Sequence, residues 1–364
     1  MGYHKVGTPR FYVDQIQYLK AIGFDFKKAY EDVGLSLQYQ TMINIPNLFT
    51  LNPEIRELIH EASDDTAAYI RIPTGFSNDI NLSGNNVGYF LYILNHDLNT
   101  DNIRAYNRWY NYNESLLESA TENSILNFDS ENSVIPNNGS SIYTFTENPP
   151  DKDYSFLVFY FKDADSTAIL PSFSAGAVSF GIYYDMTYNA DLNLTMELDY
   201  SGYELTQNLE GSTLSNITHN GAPWWYDSDG NKKEPWAIGD STGLGKRNGR
   251  RIWNLSFSYM SDSDLFASNY MNNNYTETST NYGDNIAQDA DNNDYFYYTI
   301  EDDNSFHAQV LNKICLGQKF IFQADNTNNN PDQFAIAILD QDSFSCERVA
   351  PNVYNINMTI KEVW

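Results

Sequence analysis

Short apolar runs, separated by clusters of Asn, Asp, Gly and Pro, dominate this sequence from about residue 66 onward. The runs are too short for buried helices, which need roughly ten residues or more, and the residues between them favour turns. The candidate strands are 67–72, 88–94, 154–161, 177–184, 192–200, 252–259, 319–323, 334–339 and 353–363. The sequence therefore predicts a mainly β fold.

Two of these runs alternate apolar and polar side chains, which is typical of a strand with one buried face and one wet face. The apolar positions are Tyr354, Ile356, Met358 and Ile360 in the last run and Leu192, Leu194, Met196 and Leu198 in the other. The run 156–161 is apolar throughout, so we expect this strand to lie between two layers. Sheets with one wet face favour antiparallel β-sandwich or barrel-type domains.

The first part of the chain has a helical pattern instead. The apolar residues at helical spacing are Tyr12, Ile16 and Leu19. Gly23 follows them as a stop signal, and Asn52 with Pro53 is typical of a helix N-cap and first turn, which predicts helical turns over 54–59. We therefore expect residues 1–65 to form a short helical N-terminal arm.

The rest of the chain divides by the spacing of its apolar runs. We expect a β domain over 66–205, a long loop or insertion over 206–250, and a C-terminal β domain over 251–364. The last contains an inserted loop over 262–304 and one helix. These loops are rich in Asn, Asp and Tyr, and loops above about 15 residues are usually functional, so we expect them to form contact surfaces.

Charge restricts the partners. The chain has 21 Lys+Arg against 48 Asp+Glu, a formal net charge of -27. Such a negative field disfavours nucleic acid and anionic membrane surfaces as partners. A basic cluster at 246–251, with Lys246, Arg247, Arg250 and Arg251, stands out against this background. Its expected partner is another part of the same protein or a neighbouring copy.

The start of the sequence lacks the apolar region of a secretion signal, and no run of residues is apolar and long enough to span a bilayer. We therefore expect a soluble chain without membrane insertion.

The two cysteines of the sequence, Cys315 and Cys346, are too few for a disulfide scaffold or a cysteine-rich zinc site. We interpret them as free thiols of a protein made in a reducing compartment.

Calcium binding is an alternative for two Asp/Asn-rich segments, 227–231 and 289–293. Neither has the glycine and the bidentate Glu of an EF-hand loop, because Ile238 and Ile300 stand where that Glu is needed. Asp and Asn side chains also bond to their own backbone in turns. We therefore interpret both segments as turns, with a calcium site left open.

Catalytic signals are absent from the sequence. The five histidines, His4, His60, His96, His219 and His307, lack metal-ligand spacing. Nucleophile-elbow, phosphate-loop and zinc motifs do not occur. Paired carboxylates suitable for a polysaccharide-degrading enzyme are unavoidable in so acidic a chain. We therefore predict a protein that is not an enzyme and that has no catalytic, cofactor or metal residues.

Aromatic residues cluster beside amides and carboxylates in two places. The first group is Tyr106, Trp109, Tyr110 and Tyr112, and the second is Trp224, Trp225, Tyr226 and Trp236. Exposed aromatic faces suit sugars or subunit contacts, whereas buried ones would cap the core. All three interpretations remain open from the sequence.

Several segments resemble virion-associated proteins of marine tailed bacteriophages. They are VGTPRFY at 6–12, GRRIWNLSFSYMSDSDLF at 249–266, FIFQADN at 320–326, NPDQFA at 330–335, VYNI at 353–356 and KEVW at 361–364. In a looser similarity to phage minor-tail and distal-tail proteins, an Arg-x-Trp-x-Leu-x-Phe strand at 251–257 precedes a helix near Phe306–Leu311 and the strand with Phe320 and Phe322.

The resemblance implies a structural, tail-associated component of a phage virion, made in the host cytoplasm. Its implied partners are further copies of itself, in a ring or tube, and other virion proteins. Two alternatives remain. One is a glycan-binding or receptor-binding adhesion protein that contacts a host surface glycan, and the other is a capsid-decorating protein.

Overall fold

The fold is known from a computed structural model of the chain. The residues that it describes are 6–32, 41–60, 67–73, 86–97, 103–111, 125–126, 133–134, 139–145, 154–163, 172–200, 202–217, 225–226, 232–233, 236, 249–265, 286–288, 294–296 and 305–363.

Strands make up most of the described chain, so the mainly β prediction is confirmed. In chain order they are β1 (Arg10–Asp14), β2 (Glu57–His60), β3 (Ala67–Pro73), β4 (Val87–Leu94), β5 (Ile103–Asn111), β6 (Ile125–Leu126), β7 (Ser133–Val134), β8 (Ser141–Phe145), β9 (Tyr154–Asp163), β10 (Phe173–Ala175), β11 (Ala177–Asp185), β12 (Thr195–Asp199), β13 (Tyr203–Gln207), β14 (Thr213–Ile217), β15 (Trp225–Tyr226), β16 (Lys232–Lys233), β17 (Arg250–Ser261), β18 (Ile286–Gln288), β19 (Asp294–Phe296), β20 (Phe320–Gln323), β21 (Phe334–Leu339), β22 (Cys346–Ala350) and β23 (Val353–Glu362).

The helices that the structure describes are few and short. They are α1 (Gln15–Ala21), α2 (Phe26–Asp32), α3 (Thr41–Asn44), α4 (Asp262–Leu265) and α5 (Asn312–Ile314), with a π-helical turn at His307–Leu311 and 3₁₀ turns at Pro46–Phe49 and Pro331–Gln333. The helix predicted near Phe306 is thus confirmed. Within the part of the chain that the structure describes, no helix has the length and apolar character needed to cross a membrane.

One antiparallel sheet of eleven strands organises the molecule. Its order is β12-β17-β23-β21-β20-β1-β11-β4-β8-β7, and β22 also pairs with β23. A second sheet has the order β3-β9-β5-β6, and the remaining described strands form two-stranded pairs. The large sheet combines strands from 1–65, 66–205 and 251–364, the three segments that the sequence predicts as an arm and two domains. The predicted loop 206–250 contributes β14, β15 and β16 as short strands.

Central strands of the large sheet are buried on both faces. Along β4, Leu91 and Ile93 enter one core, and Phe90 and Tyr92 enter the other. The large core lies on the side that α1, the Pro46–Phe49 turn and the His307–Leu311 turn cover. The small core lies on the opposite face. Its aromatic side chains are Tyr12, Phe90, Tyr92, Tyr183, Trp225, Trp236 and Phe334.

Strand β1 joins the two halves of this sheet, since it pairs with β11 on one side and with β20 on the other. Its Arg10 forms a two-pronged ion pair with Asp185 of β11, at 2.5 and 2.7 Å. The hydroxyl of Tyr12 donates to Oε1 of Gln323 on β20 at 2.7 Å. Phe11 packs against Phe306, with ring centroids 5.4 Å apart. A strand of five residues is therefore held by contacts on both edges and both faces.

Two helical predictions near the N-terminus are corrected by this arrangement. Tyr12, predicted on a helix, lies in β1, and the helix begins only after Asp14, whose carboxylate accepts from the backbone of Ile16 and Gln17. The helical turns predicted over 54–59 are wrong, because β2 occupies Glu57–His60 and pairs with β10. Both errors have one cause, since pairing with a distant strand overrides local helical preference.

The two alternating runs behave differently. The last is confirmed as half buried, because Tyr354, Ile356, Met358 and Ile360 of β23 are all buried. The other forms β12, but the prediction of a buried apolar face is wrong there, since Leu192, Leu194 and Met196 are exposed. For the run 156–161, only the side chain of Phe161 is described, and it is buried.

Candidate functional site

The exposed apolar residues next to β12 form one lip of a groove. The groove lies on the large-core face of the sheet, and its volume is about 830 Å³. Its buried floor contains Trp253 and Leu255 of β17 and Phe322 of β20. The residues around this floor are Val6, Gly7, Pro9, Asn189, Ala190, Asp191, Leu192, Leu194, Met196, Arg251, Ala324, Asp325, Asp332 and Gln333.

The register of β12 on β17 explains why its apolar side chains face the groove. Met196 pairs with Trp253 and Leu198 pairs with Arg251, so these side chains share the large-core face. Helices cover this face farther along the sheet, but here Leu194 remains 48% exposed and Met196 50% exposed. The groove is thus a continuation of the core that the described chain leaves uncovered.

Carboxylates provide the charge of this groove. Asp191, Asp325 and Asp332 line it, and no described Lys or Arg forms an ion pair with any of them. Asp325 accepts from the backbone N–H of Gly7 at 2.8 Å and from both donors of Thr327. Burial would raise the pKa of Asp325, but these hydrogen bonds outweigh it and hold the pKa below its usual value.

Arg251 is the cation of the groove lining, and it is already paired. Its Nη2 lies 2.8 Å from Oε1 of Glu362, and its Nε lies 3.0 Å from Oε2 of the same carboxylate. It also donates to the carbonyls of Asp332 and Phe334, and its guanidinium lies over the Trp253 ring at 5.1 Å. The groove lining therefore presents an excess of negative charge to a ligand.

Strand β12 also forms an edge of the large sheet. It pairs with β17 on one side, and the described strand order ends with it. Alternate backbone N–H and C=O groups of an edge strand point away from the sheet. Gly249 immediately precedes β17 and has a φ of +67°. A side chain at this position would place its Cβ atom only 2.7 Å from the carbonyl oxygen of Asp199. This close approach brings β17 against the end of β12.

The hairpin β13–β14 follows the edge strand. Its turn is closed by Asn208, whose side chain accepts from the backbone N–H of Glu210 and Ser212. Side chains from Glu204 to Asn216 are exposed along both strands. Leu205 is 59%, Leu209 107% and Leu214 60% exposed. The hairpin thus presents apolar side chains to solvent on both of its faces.

The structure places part of the second aromatic group in the small core. Trp225 and Trp236 are each 1% exposed, with ring centroids 5.2 Å apart. Core capping is therefore the interpretation that fits these two rings, and neither offers a face to a sugar. Tyr226 lies in β15, and Trp224 lies outside the described residues.

The first aromatic group is only partly described. The backbone of Tyr106, Trp109 and Tyr110 lies in β5, and their side chains and all of Tyr112 lie outside the description.

In the basic cluster at 246–251, the predicted pairing within the protein is confirmed for Arg251, which pairs with Glu362. Lys246 and Arg247 also lie outside the described residues.

His96 is a buried histidine near the end of β4. Its Nε2 lies 2.7 Å from Oγ of Ser141, and Arg56 and Asp97 lie close by, 3.6 Å apart. Burial, and to a smaller extent the charge of Arg56, lower the pKa of His96 to about 3 against the opposing charge of Asp97. With 3% exposure, the ring is neutral and inaccessible, so this contact holds β4 to β8.

Metal-binding chemistry finds no support among the described residues, which contain no group of three or more His, Cys, Asp or Glu able to hold an ion. The Asp/Asn segments 227–231 and 289–293 lie outside the described residues.

Cys315 and Cys346 are free cysteines, as predicted. Cys346 is half-buried, which raises the pKa of its thiol to about 11.

Sequence reasoning missed the groove because its residues come from segments that are far apart in the chain. The one available signal is the apolar alternation around Met196, which the sequence assigns to a buried face.

Comparison with protein families, with curated proteins and with solved structures found no match in any of the three.

Proposed function

We propose that this protein is a structural component of a tailed-phage virion, associated with the tail, that acts by assembly of identical copies into a ring or tube and without catalytic turnover. The observation that carries the assembly part of the proposal is the hairpin β13–β14, whose described side chains are exposed on both faces.

A hairpin of this kind is a poor stand-alone structure. An isolated pair of strands is at best marginally stable in water, and it becomes stable when a face packs against another element. Leu205, Leu209 and Leu214 would each contribute about 1.5–3 kcal/mol if they were fully buried in a contact. A neighbouring copy would supply such a contact.

Charge sets the conditions for this assembly. Copies with a formal net charge of -27 repel one another, and salt screens that repulsion beyond roughly 10 Å at 0.1 M. The apolar hairpin surface does not depend on ion pairs. Assembly through it should therefore strengthen as salt concentration rises.

The virion part of the proposal rests on the segments that resemble virion-associated proteins. Segment 6–12 contains most of β1, 249–266 contains β17 and α4, and 353–356 begins β23. These strands belong to the large sheet, and β17 lines the groove beside the edge strand. The family-like residues thus contribute to the scaffold that carries β12 and the hairpin.

Sedimentation velocity in increasing sodium chloride tests the assembly. The variant Leu205→Ser/Leu209→Ser should remain monomeric under salt conditions that assemble the unaltered protein. Ile22→Ser/Ile55→Ser is the matched control, because it removes two other exposed apolar residues, and it should assemble normally. Equal loss in both variants, or assembly that weakens steadily with salt, contradicts the hairpin contact.

Mass spectrometry of purified virions tests the location, and absence of the chain from the particle would reject the proposal. A copy number on the order of hundreds would favour the capsid-decorating alternative. A small multiple of a ring symmetry would favour the tail.

A further inference from the structure

The groove beside β12 has a chemistry that differs from the hairpin surface. Its floor is apolar, with Trp253, Leu255 and Phe322 buried beneath an opening. Its lip is apolar and exposed at Leu194 and Met196. Monomeric proteins rarely leave such a continuous apolar surface open, and a surface of this kind rimmed by polar groups marks a binding site.

The charge around the groove indicates which partner fits. Asp191, Asp325 and Asp332 have no cationic partner among the described residues, and Arg251 is neutralised by Glu362. A cation near this rim gains favourable interactions, whereas another acidic surface is repelled. A second copy, with its net charge of -27, is therefore poorly matched to this groove.

The edge of β12 indicates the conformation of the partner. No described strand pairs with β12 on the side away from β17, and the Met196 side chain of β12 faces the groove. A strand added to such an edge gains main-chain hydrogen bonds and places alternate side chains on one face. Long Lys or Arg side chains can lie along apolar surface while their charges reach the rim.

We propose that the groove and the β12 edge bind an extended segment of a different protein that carries apolar residues together with Lys or Arg. The apolar side chains and the aliphatic parts of the basic ones lie on Trp253 and Met196. The cations lie near Asp191 and Asp332. This interaction goes beyond the proposed function, because it involves a different partner and a surface other than the hairpin.

Fluorescence anisotropy with a short labelled peptide that alternates valine and lysine tests the proposal. The peptide should bind the unaltered protein, and its affinity should fall as salt rises. A matched peptide of valine and glutamate should not bind. Failure of the valine–lysine peptide to bind, or equal binding of both peptides, overturns the proposal.

Paired variants locate the binding. Asp332→Lys should weaken the affinity about tenfold, about 1.4 kcal/mol, whereas Asp342→Lys, the same charge change at an exposed residue outside the groove lining, should change it little. Met196→Ser should weaken binding similarly, and Leu209→Ser on the hairpin should not. Equal effects within either pair would show general charge attraction or general apolar adhesion instead.

Circular dichroism checks that each variant is folded.

A valine–lysine peptide with N-methyl groups on alternate residues tests strand addition, because it lacks the backbone N–H groups that would donate to β12. It should bind about tenfold more weakly, about 1.4 kcal/mol. Unchanged binding of that peptide overturns the edge contact. Sedimentation velocity of Met196→Ser tests whether a second copy of the chain occupies the groove instead. Loss of self-association in this variant would identify a second copy as the occupant and overturn the proposal. If the peptide does not bind, the proposed function can still be tested by itself. Sedimentation of the hairpin variant measures assembly, and mass spectrometry of virions measures location.

Discussion

The centre and the β12 edge of the large sheet both carry apolar side chains on the large-core face, but these side chains lie in different environments. In the centre, β4 and β11 are buried along their whole length. At the edge, β12 alternates apolar and polar residues as β23 does, yet Met196 of β12 is half exposed whereas the apolar residues of β23 are buried. The difference is coverage, because helices pack over the centre, whereas the main described packing partner of β12 is β17. Apolar pattern alone therefore does not distinguish a core strand from a binding edge.

Ion pairs repeat this contrast over a short distance. Arg251 and Glu362 form a pair with side chains only 4% and 3% exposed. Lys361, next to Glu362 in β23, forms a pair with Asp199 of β12 at 3.3 Å, and both of these side chains are 25% exposed. The buried pair sits where the core ends, and the partly exposed pair lies at the edge.

The largest expected effect comes from breaking the buried pair. Arg251→Ala should lower the free energy of unfolding by about 3–5 kcal/mol, because the Glu362 carboxylate is left buried without its cation. Lys361→Ala should cost about 0–1 kcal/mol, since its pair is partly solvated. Urea denaturation of both variants measures the difference, and similar losses would contradict the assigned boundary between core and edge.

The next effect compares one substitution at the two positions. Leu91→Ala in β4 should lower the free energy of unfolding by about 2–5 kcal/mol, because it leaves a cavity in the large core. Leu194→Ala beside β12 should change it by roughly 0.5 kcal/mol or less, as for most exposed sites. Thermal or urea unfolding of the two proteins tests this, and a large loss at Leu194 would mean that the edge is covered in solution.

The smallest expected effect concerns pH and the centre of the molecule. The pKa of His96 is lowered to about 3 from an ordinary value of 6.5, so the folded state binds fewer protons than the unfolded state between these values. Stability is therefore lost as pH falls through this window, by about 2 kcal/mol between pH 7 and pH 5. In His96→Gln, the loss measured by urea denaturation over this range should shrink by that amount.

Asp14 provides the control of opposite sign. Burial raises its pKa to about 6 from 3.8, so its contribution improves as pH falls through about 6 and is lost as pH rises. Asp14→Asn should therefore make the acid-induced loss larger than in the unaltered protein. An unchanged pH dependence in both variants would contradict the burial assigned to these two groups.

Much of the β architecture was predictable because apolar runs and turn residues are local signals. The runs that became β3, β4, β9, β11, β17, β20, β21 and β23 were located within a few residues. Strand β1 was not, since Tyr12, Ile16 and Leu19 satisfy helical spacing although Tyr12 pairs with distant strands. Strand β2 was missed for the same reason, because pairing with β10 decides its conformation.

The candidate site was less predictable than the fold. The exposure of Leu194 and Met196 depends on which elements reach the end of the sheet, and a local pattern carries no information about that. Trp225 and Trp236 illustrate the reverse case, since the sequence leaves both accessible and buried rings open and the fold buries both. In each case the deciding contacts come from residues far away in the chain.

By itself, the sequence determined that this chain is acidic and mainly β, because charge and the period of apolar residues are local properties. The tertiary structure alone decided that β1 is central, that Arg251 is neutralised by Glu362, and that the described chain leaves β12 and the β13–β14 hairpin uncovered. The physical reason is that burial depends on contacts between distant segments, whereas alternation depends only on neighbours along the chain.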